Sequence, residues 1–178
     1  LTIEDPRVLS VLRAPSSDFS SEALLSEEFC RLAELMVATV THPSQDGVGI
    51  AGPQVGLNRR VVAVQRFDKE PVLRAGRLDH PFEVYPNIRI VWASDSLAAG
   101  PEGCLSVPDR RGDVLRSTEI VIEYADITGL KDADSKSNPA QPAGGTVPII
   151  RDTVSGFTAV IFQHEIDHLE GVLYIDRL

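Results

Sequence analysis

The sequence predicts an α+β fold in which several strands precede one buried helix near the C-terminus. Residues 60–65, 82–92 and 113–124 are rich in β-branched or alternating apolar residues, which is typical of strands. Residues 157–169 are apolar on nearly every side when placed on a helix, and such helices are usually buried. Because the strands do not alternate with helical segments, a series of βαβ units is disfavoured.

The N-terminal third supplies the elements that precede these strands. Residues 1–20 are predicted to be irregular, whereas apolar residues recur at helical spacing over residues 21–40. That spacing predicts an amphipathic helix covering a sheet, with Cys30 as a small core residue. Ser26, followed by Glu27 and Glu28, is an alternative start of this helix. Four glycines and a proline within residues 46–56 predict tight turns in which the backbone closely approaches a neighbour or a ligand.

Two polar segments are predicted as loops, at residues 67–81 and 126–147. The second is rich in Gly, Pro, Asp, Lys and Ser and is predicted to be an exposed loop or the tip of a long hairpin. A chain of 178 residues fits a single domain over residues 1–178. The net charge of −9 disfavours a nucleic-acid partner. No stretch is long and apolar enough to span a membrane, and no signal-peptide pattern is present.

The buried helix carries the sequence QHEIDH at residues 163–168. His164 and His168 are four positions apart and therefore share one face of the helix, so both rings can reach one metal ion. Glu165 would then lie beside the metal ion, where it can exchange protons with water. The alternative is a chance match, in which both histidines are satisfied core residues.

A catalytic metal ion usually has a third protein ligand, and the downstream sequence does not offer one. Glu170 faces away from the histidines, and Tyr174 stands where the metzincin pattern has its third histidine. Upstream, Cys104 offers a thiolate, which is a strong ligand for zinc and ferrous iron. His42 and His80 are weaker candidates, because both lie in polar or loop contexts.

Three other interpretations of these residues stay open at this level. Cys104 could be a buried, unreactive cysteine. It could also be the nucleophile of a cysteine hydrolase with His164 as its base, although Glu165 and His168 would then have no role. Finally, the metal could be structural in a non-catalytic binding module. A cysteine hydrolase would keep its activity when a chelator removes the metal ion, whereas a metal-dependent enzyme would lose it. A binding module would be unaffected by replacing Glu165 with Ala.

Three stretches together resemble the signature motifs of the peptide deformylases, and they occur in the family's order. They are GVGIAGPQVG at residues 47–56, EGCLS at residues 102–106 and QHEIDHL at residues 163–169. The resemblance implies an enzyme that removes the N-terminal formyl group from nascent polypeptides and releases formate. It also implies antiparallel sheets around the buried motif helix. Gly52 stands where the family often has alanine, and residues 131–147 look like an insertion.

Matching motif positions imply roles for individual residues. Cys104, His164 and His168 would bind the metal ion, and Glu165 would be the general base and then the general acid. The side chain of Gln54 and the backbone N–H of Leu105 would stabilise the developing oxyanion.

The same alignment implies residues that bind the substrate or support the metal ligands. Gly49 would offer backbone contacts to the substrate chain, and Glu102 would pair with Arg116 behind the metal ligands. An apolar pocket for the methionine side chain would be lined by Val48, Phe157, Val160 and Ile161.

The resemblance also implies a cofactor, partners and a location. One divalent metal ion per chain is expected, ferrous iron in the cell, with zinc, nickel or cobalt as alternatives in the purified protein. The expected partners are formyl-Met N-termini of nascent polypeptides, and the ribosome is a further candidate, whereas direct nucleic-acid or membrane binding is not expected. The expected location is a bacterial-type cytoplasm, or a mitochondrion or plastid if a leader preceded Leu1.

Overall fold

A computed structural model describes residues 1–74, 76–128 and 146–178, and it confirms the α+β fold. The helices of this part of the chain are α1 (Pro6–Leu12), α2 (Ser21–Leu24), α3 (Glu27–Val40) and α4 (Gly156–Leu169). Its strands are β1 (Gly49–Ala51), β2 (Val61–Gln65), β3 (Val72–Arg74), β4 (Arg77–Asp79), β5 (Phe82–Pro86), β6 (Arg89–Ala93), β7 (Leu97–Cys104), β8 (Val107–Ser117), β9 (Glu119–Ala125) and β10 (Ile149–Ser155). Two 3-10 helices, Gly52–Val55 and Tyr174–Arg177, flank the functional region.

The strands form two three-stranded sheets and two hairpins, and every named pairing is antiparallel. One sheet has the order β1-β2-β5 and the other β10-β9-β6, while β3-β4 and β7-β8 are the hairpins. Helix α4 packs into a core shared by both sheets, in which Phe162 is fully buried. Removing a buried aromatic side chain of this kind costs about 3–5 kcal/mol, so this contact contributes substantially to stability.

The sheet that contains β2 is covered on both faces. Val62 and Val64 point into the core around α4, whereas the alternate residues Val61 and Ala63 point into a second core under α3. Helix α3 begins where the hydroxyl of Ser26 accepts a hydrogen bond from the backbone N–H of residue 29. Because side chains alternate along a strand, both faces of β2 are buried, and one of them packs against α4.

Several sequence predictions about local structure were wrong. Residues 1–20 contain helix α1, which begins at Asp5, because its carboxylate caps the helix and a proline follows at the first helical position. The helix predicted over 21–40 is divided into two helices, and the longer one starts after Ser26, which is the alternative start that the sequence offered. Cys30 lies on the exposed face of α3, not in the core.

The polar segment 67–81, predicted as a loop, contains the short hairpin β3-β4. Residues 82–92 form two strands, because Asn87 adopts a positive φ of 54° and breaks the extended run. Strands β7 and β10 were not predicted. Most of the loop predicted at 126–147 falls at 129–145, outside the described residues. Within the described residues, no helix combines the length and apolarity needed to cross a bilayer.

Candidate metal centre and active site

Helix α4 is held at its middle and just past its C-terminus. The side chain of Gln163 accepts a hydrogen bond from the N–H of Ser117 at 3.0 Å and donates to its carbonyl at 2.9 Å, which joins α4 to β8. Past the C-terminus of the helix, Gly171 has a φ of 72°. A Cβ on Gly171 would lie 2.3 Å from the carbonyl oxygen of Arg13, so only glycine fits there.

The structure brings the three predicted metal ligands together. Cys104 comes from the end of β7, and His164 and His168 come from successive turns of α4. Their ligand atoms all lie within 4.8 Å of one another. The Sγ atom of Cys104 is 3.2 Å from Nε2 of His168. Residues 60 and 64 positions apart in sequence therefore converge on one point in space.

A buried ion pair orients the ring of His164. Its Nδ1 atom lies 2.8 Å from Oε2 of Glu102, so Nε2 is the nitrogen left for a metal ion. Glu102 also accepts hydrogen bonds from Arg116 at 2.7 and 2.9 Å. Although burial alone would raise the pKa of Glu102, its hydrogen bonds to Arg116 and His164 lower that pKa to about 2. Glu102 is therefore ionised near neutral pH, and it fixes the orientation of the His164 ring.

The surroundings of the two histidines shift their pKa values in opposite directions. Burial lowers the pKa of His164, but its hydrogen bonds to Cys104 and Glu102 outweigh burial and raise that pKa to about 10. For His168, burial and then the positive charges of His164 and Arg116 lower the pKa to about 3. A ligating imidazole must be neutral, so a cation bound here would take the place of the proton on His164.

The arrangement of the donors fits a divalent metal ion. One thiolate and two imidazoles are the ligand types that zinc and ferrous iron accept, and they leave a coordination position open. Oε2 of Glu165 is buried beside them and has no hydrogen-bond partner in the part of the chain that the structure describes. A carboxylate oxygen held in this way needs a polar partner, such as a water molecule.

Glu165 lies deep in the site. It is 5% exposed, and burial raises its pKa to about 7, with the negative charge of Glu102 acting in the same direction. A carboxylate with a pKa near neutrality can both accept and return a proton. The backbone of Gly49 lies directly against this side chain.

The amide of Gln54 is held by a hydrogen bond that defines which end faces the site. Its Oε1 atom accepts from the N–H of Ala51 at 2.8 Å, so its Nε2 atom is the donor that faces the site. That nitrogen donates to Sγ of Cys104 at 3.5 Å and to the hydroxyl of Ser106 at 3.3 Å. Gln54 comes from the 3-10 helix that begins at Gly52, where a Cβ would meet two backbone carbonyls.

A cavity of about 840 Å³ opens onto this centre. The residues predicted to form an apolar pocket all line it, namely Val48, Phe157, Val160 and Ile161, and Gly49, Leu105, Cys104 and Glu165 line it as well. Ile161 is buried, whereas the Phe157 ring is 57% exposed at the rim. The cavity thus joins an apolar wall to the reactive groups.

Some residues of the site were missed from sequence. Asp167 lies behind the ligands between Arg116 and Arg177, and Tyr174 stacks on the ring of His164 with centroids 6.0 Å apart. Asp46, Asp109, Arg110 and Arg111 line the outer cavity. The motifs EGCLS and QHEIDHL contain Ser106 and Asp167 and could have indicated them, but the others depend on long-range contacts with no periodic signal. Among the described residues, His42 and His80 do not belong to the metal-ligating group.

Comparisons with known proteins agree with this geometry. A family model described as "Polypeptide deformylase" matches residues 1–134 and 148–178. "Peptide deformylase 2" of Gloeobacter violaceus is 36% identical over 168 residues, covering 94% of this chain and 74% of that protein. "Peptide deformylase 1" of Vibrio vulnificus is 34% identical over 178 residues, covering 100% of this chain and 84% of that protein.

Solved structures match over nearly the whole chain. The Met-Ala-Ser-bound class I type b peptide deformylase from Acinetobacter baumannii superposes with a TM-score of 0.74 and 32% identity, covering 95% of this chain and 92% of that one. The peptide deformylase from Thermotoga maritima gives a TM-score of 0.73 with 26% identity, covering 99% and 94% of the two chains.

Proposed function

Since this chain belongs to the peptide deformylase family, we propose that Cys104, His164 and His168 hold its metal ion and that Glu165 moves the protons of its reaction. The family is metal-dependent, and its reaction is the hydrolytic removal of the N-terminal formyl group from nascent polypeptides. The protein is therefore a hydrolase. The observation that supports the ligand assignment most directly is the 3.2 Å approach of Cys104 Sγ to His168 Nε2.

The proton transfers follow from the position of Glu165. A divalent metal ion, when bound, supplies Lewis-acid chemistry and lowers the pKa of water toward neutrality. Glu165 accepts a proton from the water that attacks the formyl carbon. As the C–N bond breaks, Glu165 passes that proton to the departing amine, so that formate and a free N-terminus are formed. Burial raises the pKa of Glu165, which favours a carboxyl group that can hold a proton and then return it.

Gln54 and Leu105 are proposed to stabilise the charge that develops on the formyl oxygen. The Nε2 atom of Gln54 is directed toward the cysteine ligand because Ala51 N–H occupies the other end of the amide. Leu105 directly follows Cys104 and lines the same cavity, which supports this role for its backbone N–H. Hydrogen-bond donors fixed before the reaction do not have to reorganise during it.

The cavity wall is proposed to bind the methionine side chain. Val48, Val160 and Ile161 offer aliphatic surface, and Phe157 offers an aromatic face at the rim, where a thioether packs well. The backbone of Gly49 is proposed to bind the substrate chain. Glu102 and Arg116 are proposed to orient His164 from behind.

We propose ferrous iron as the ion in the cell, with zinc, nickel or cobalt able to occupy the site in the purified protein. Thiolate and imidazole ligands accept each of these ions. Cys104 is only partly buried, so an iron-loaded centre would be sensitive to oxygen through oxidation of its sulfur.

The proposal extends to the setting of the reaction. Because the substrates are nascent chains, we propose that the enzyme works in the cytoplasm of a bacterial-type cell and near the ribosome. We also propose that residues 1–178 act as one catalytic domain. Sedimentation with translating ribosomes, compared with empty ones, tests the association.

Anaerobic purification followed by elemental analysis and a formyl-Met-peptide hydrolysis assay tests the function. We expect one divalent metal ion per chain and activity that a chelator removes and the same metal restores. Activity that survives complete removal of the metal would instead identify Cys104 as a nucleophile.

A further inference from the structure

The ion pairs behind His164 continue well beyond Glu102. Arg116 donates through Nη1 to Oδ2 of Asp167 at 2.6 Å. Asp167 in turn accepts from Nε and Nη2 of Arg177, both at 2.5 Å. A single hydrogen-bonded series therefore runs from Arg177 through Asp167, Arg116 and Glu102 to Nδ1 of His164.

When His164 is neutral, as a metal ligand must be, the charges in this series balance only if Arg177 is included. Glu102, Arg116 and Asp167 are buried, so a net charge on them is poorly screened by water. Two carboxylates face two guanidiniums when Arg177 is present. Without Arg177, Arg116 would be the only cation for both carboxylates, and its bonds to Asp167 and Glu102 would compete. Glu102 would then hold the ring of His164 less firmly.

The turn that carries Arg177 is anchored by other contacts. Asp176 pairs with Arg13, and its Oδ2 atom also accepts from the N–H of Leu173 at 2.8 Å. Tyr174 is fully buried and stacks on His164. Replacing Arg177, whose side chain is 44% exposed, should therefore leave the turn in place and change only the hydrogen-bonded series.

We propose that Arg177 is a positioning residue for the metal ligand His164, acting through Asp167, Arg116 and Glu102. The proposal rests on the ligand set assigned above. It assigns to Arg177 no contact with substrate. A ligating histidine is oriented by the groups that hold its other ring nitrogen. Replacing Arg177 should therefore lower the affinity of the protein for the metal ion.

The experiment compares Arg177→Met with Arg177→Lys and with Arg151→Met. Arg151 pairs with Glu123 on β9 and is the exposed control. The affinity of each metal-free protein for Zn²⁺ is measured by competition with a chromophoric chelator, and the urea unfolding of the metal-free proteins is measured in parallel. We expect Arg177→Met to weaken Zn²⁺ binding by about tenfold, the lower end of the effect of such outer partners.

Rescue separates positioning from a merely structural role. Arg177→Lys keeps the charge but not the two-point contact, so its Zn²⁺ affinity should lie between those of Arg177→Met and the unsubstituted protein. Unchanged affinity in Arg177→Met, with or without a lower unfolding midpoint, overturns the proposal. If that variant does not fold, unchanged affinity in Arg177→Lys overturns it and weaker affinity supports it. An unsubstituted protein that binds Zn²⁺ but lacks deformylase activity would contradict the proposed function alone.

Discussion

The side chain of Glu165 packs directly against the backbone of Gly49 and leaves no room there for a Cβ atom. A Cβ built at Gly49 would lie 2.5 Å from Oε1 of Glu165 and 2.9 Å from its Cδ. Glu165 is buried and lies two residues from Gln163, which ties the helix to β8, so its side chain has little room to move. The glycine of the first motif thereby sets the position of the proposed general base of the third motif.

Replacing Gly49 with Ala should displace the Glu165 carboxylate and slow the reaction. A misplacement of about 1 Å costs on the order of 100-fold in rate, so kcat/KM for a formyl-Met peptide should fall by about that factor. Gly100→Ala is the matched control, because a Cβ there meets no atom within 4 Å. Equal activity of the two variants would contradict the packing argument.

Replacing Glu165 with Gln should separate metal binding from catalysis. Gln has the same shape but cannot accept a proton, so kcat should fall by about 10²–10⁴-fold while the metal content stays at the unsubstituted level. Elemental analysis and steady-state kinetics on the same preparation check both parts. A variant with full activity would remove Glu165 from the mechanism.

Replacing Gln54 with Glu should test the oxyanion role without removing the contact to Ala51. The new carboxylate still accepts the Ala51 N–H, which now donates to Gln54 Oε1 at 2.8 Å, but it has no donor for the substrate oxygen. Losing one such donor costs about 2.7–4 kcal/mol of transition-state stabilisation. We expect kcat to fall far more than KM rises, and an equal change in both would argue against this role.

Replacing Val160 with Phe should fill part of the apolar wall of the cavity. Each misplaced methylene in such a pocket changes discrimination by about 1–3 kcal/mol. The ratio of kcat/KM for formyl-Met and formyl-Ala peptides should therefore fall by about tenfold or more. Leu35→Phe, on the exposed face of α3, is the control and should leave the ratio unchanged. An unchanged ratio in both would place the methionine elsewhere.

Replacing Asp68 with Asn should destabilise the protein more at neutral pH than in acid. The buried Arg66 donates two hydrogen bonds to Asp68 and holds its pKa below the usual range. A depressed carboxyl pKa gives stability that is present above the unfolded value of about 3.9 and is lost as the pH falls through the lower folded value.

Urea unfolding at pH 7 and near pH 3 checks this difference. The difference in the free energy of unfolding between the unsubstituted protein and Asp68→Asn should be smaller near pH 3 than at pH 7. Glu27→Gln is the control, because Glu27 pairs with Arg31 on the exposed face of α3, where solvent screens the ion pair. A gap that stays constant with pH would mean that Asp68 acts through packing rather than charge.

Sequence reasoning was most successful where chemistry and local pattern coincide. The helix around His164 could be predicted because its histidine spacing and its all-round apolarity act over a few residues. The strand β7 was missed because Gly100 and Pro101 interrupt it and its residues do not alternate in burial. The fold class followed from the order of strands and helix, and the comparisons confirm it.

The contacts behind the site had no local signal to reveal them. Arg177 meets Asp167 because the chain reverses after Gly171, and Tyr174 reaches His164 through the same reversal. Such pairings are set by the tertiary course of the chain, which neither helical nor strand periodicity encodes. The proximity of Gly49 to Glu165 belongs to the same class.

The centre also unites parts of the chain that leave the ribosome at very different times. His164 bonds to Glu102, which is 62 positions earlier, and Gln54 lies 50 positions before Cys104. Synthesis proceeds at about 5–20 residues per second, so the thiol and the glutamine wait for seconds before helix α4 emerges. The three proposed metal ligands consequently cannot come together until helix α4 has been synthesised.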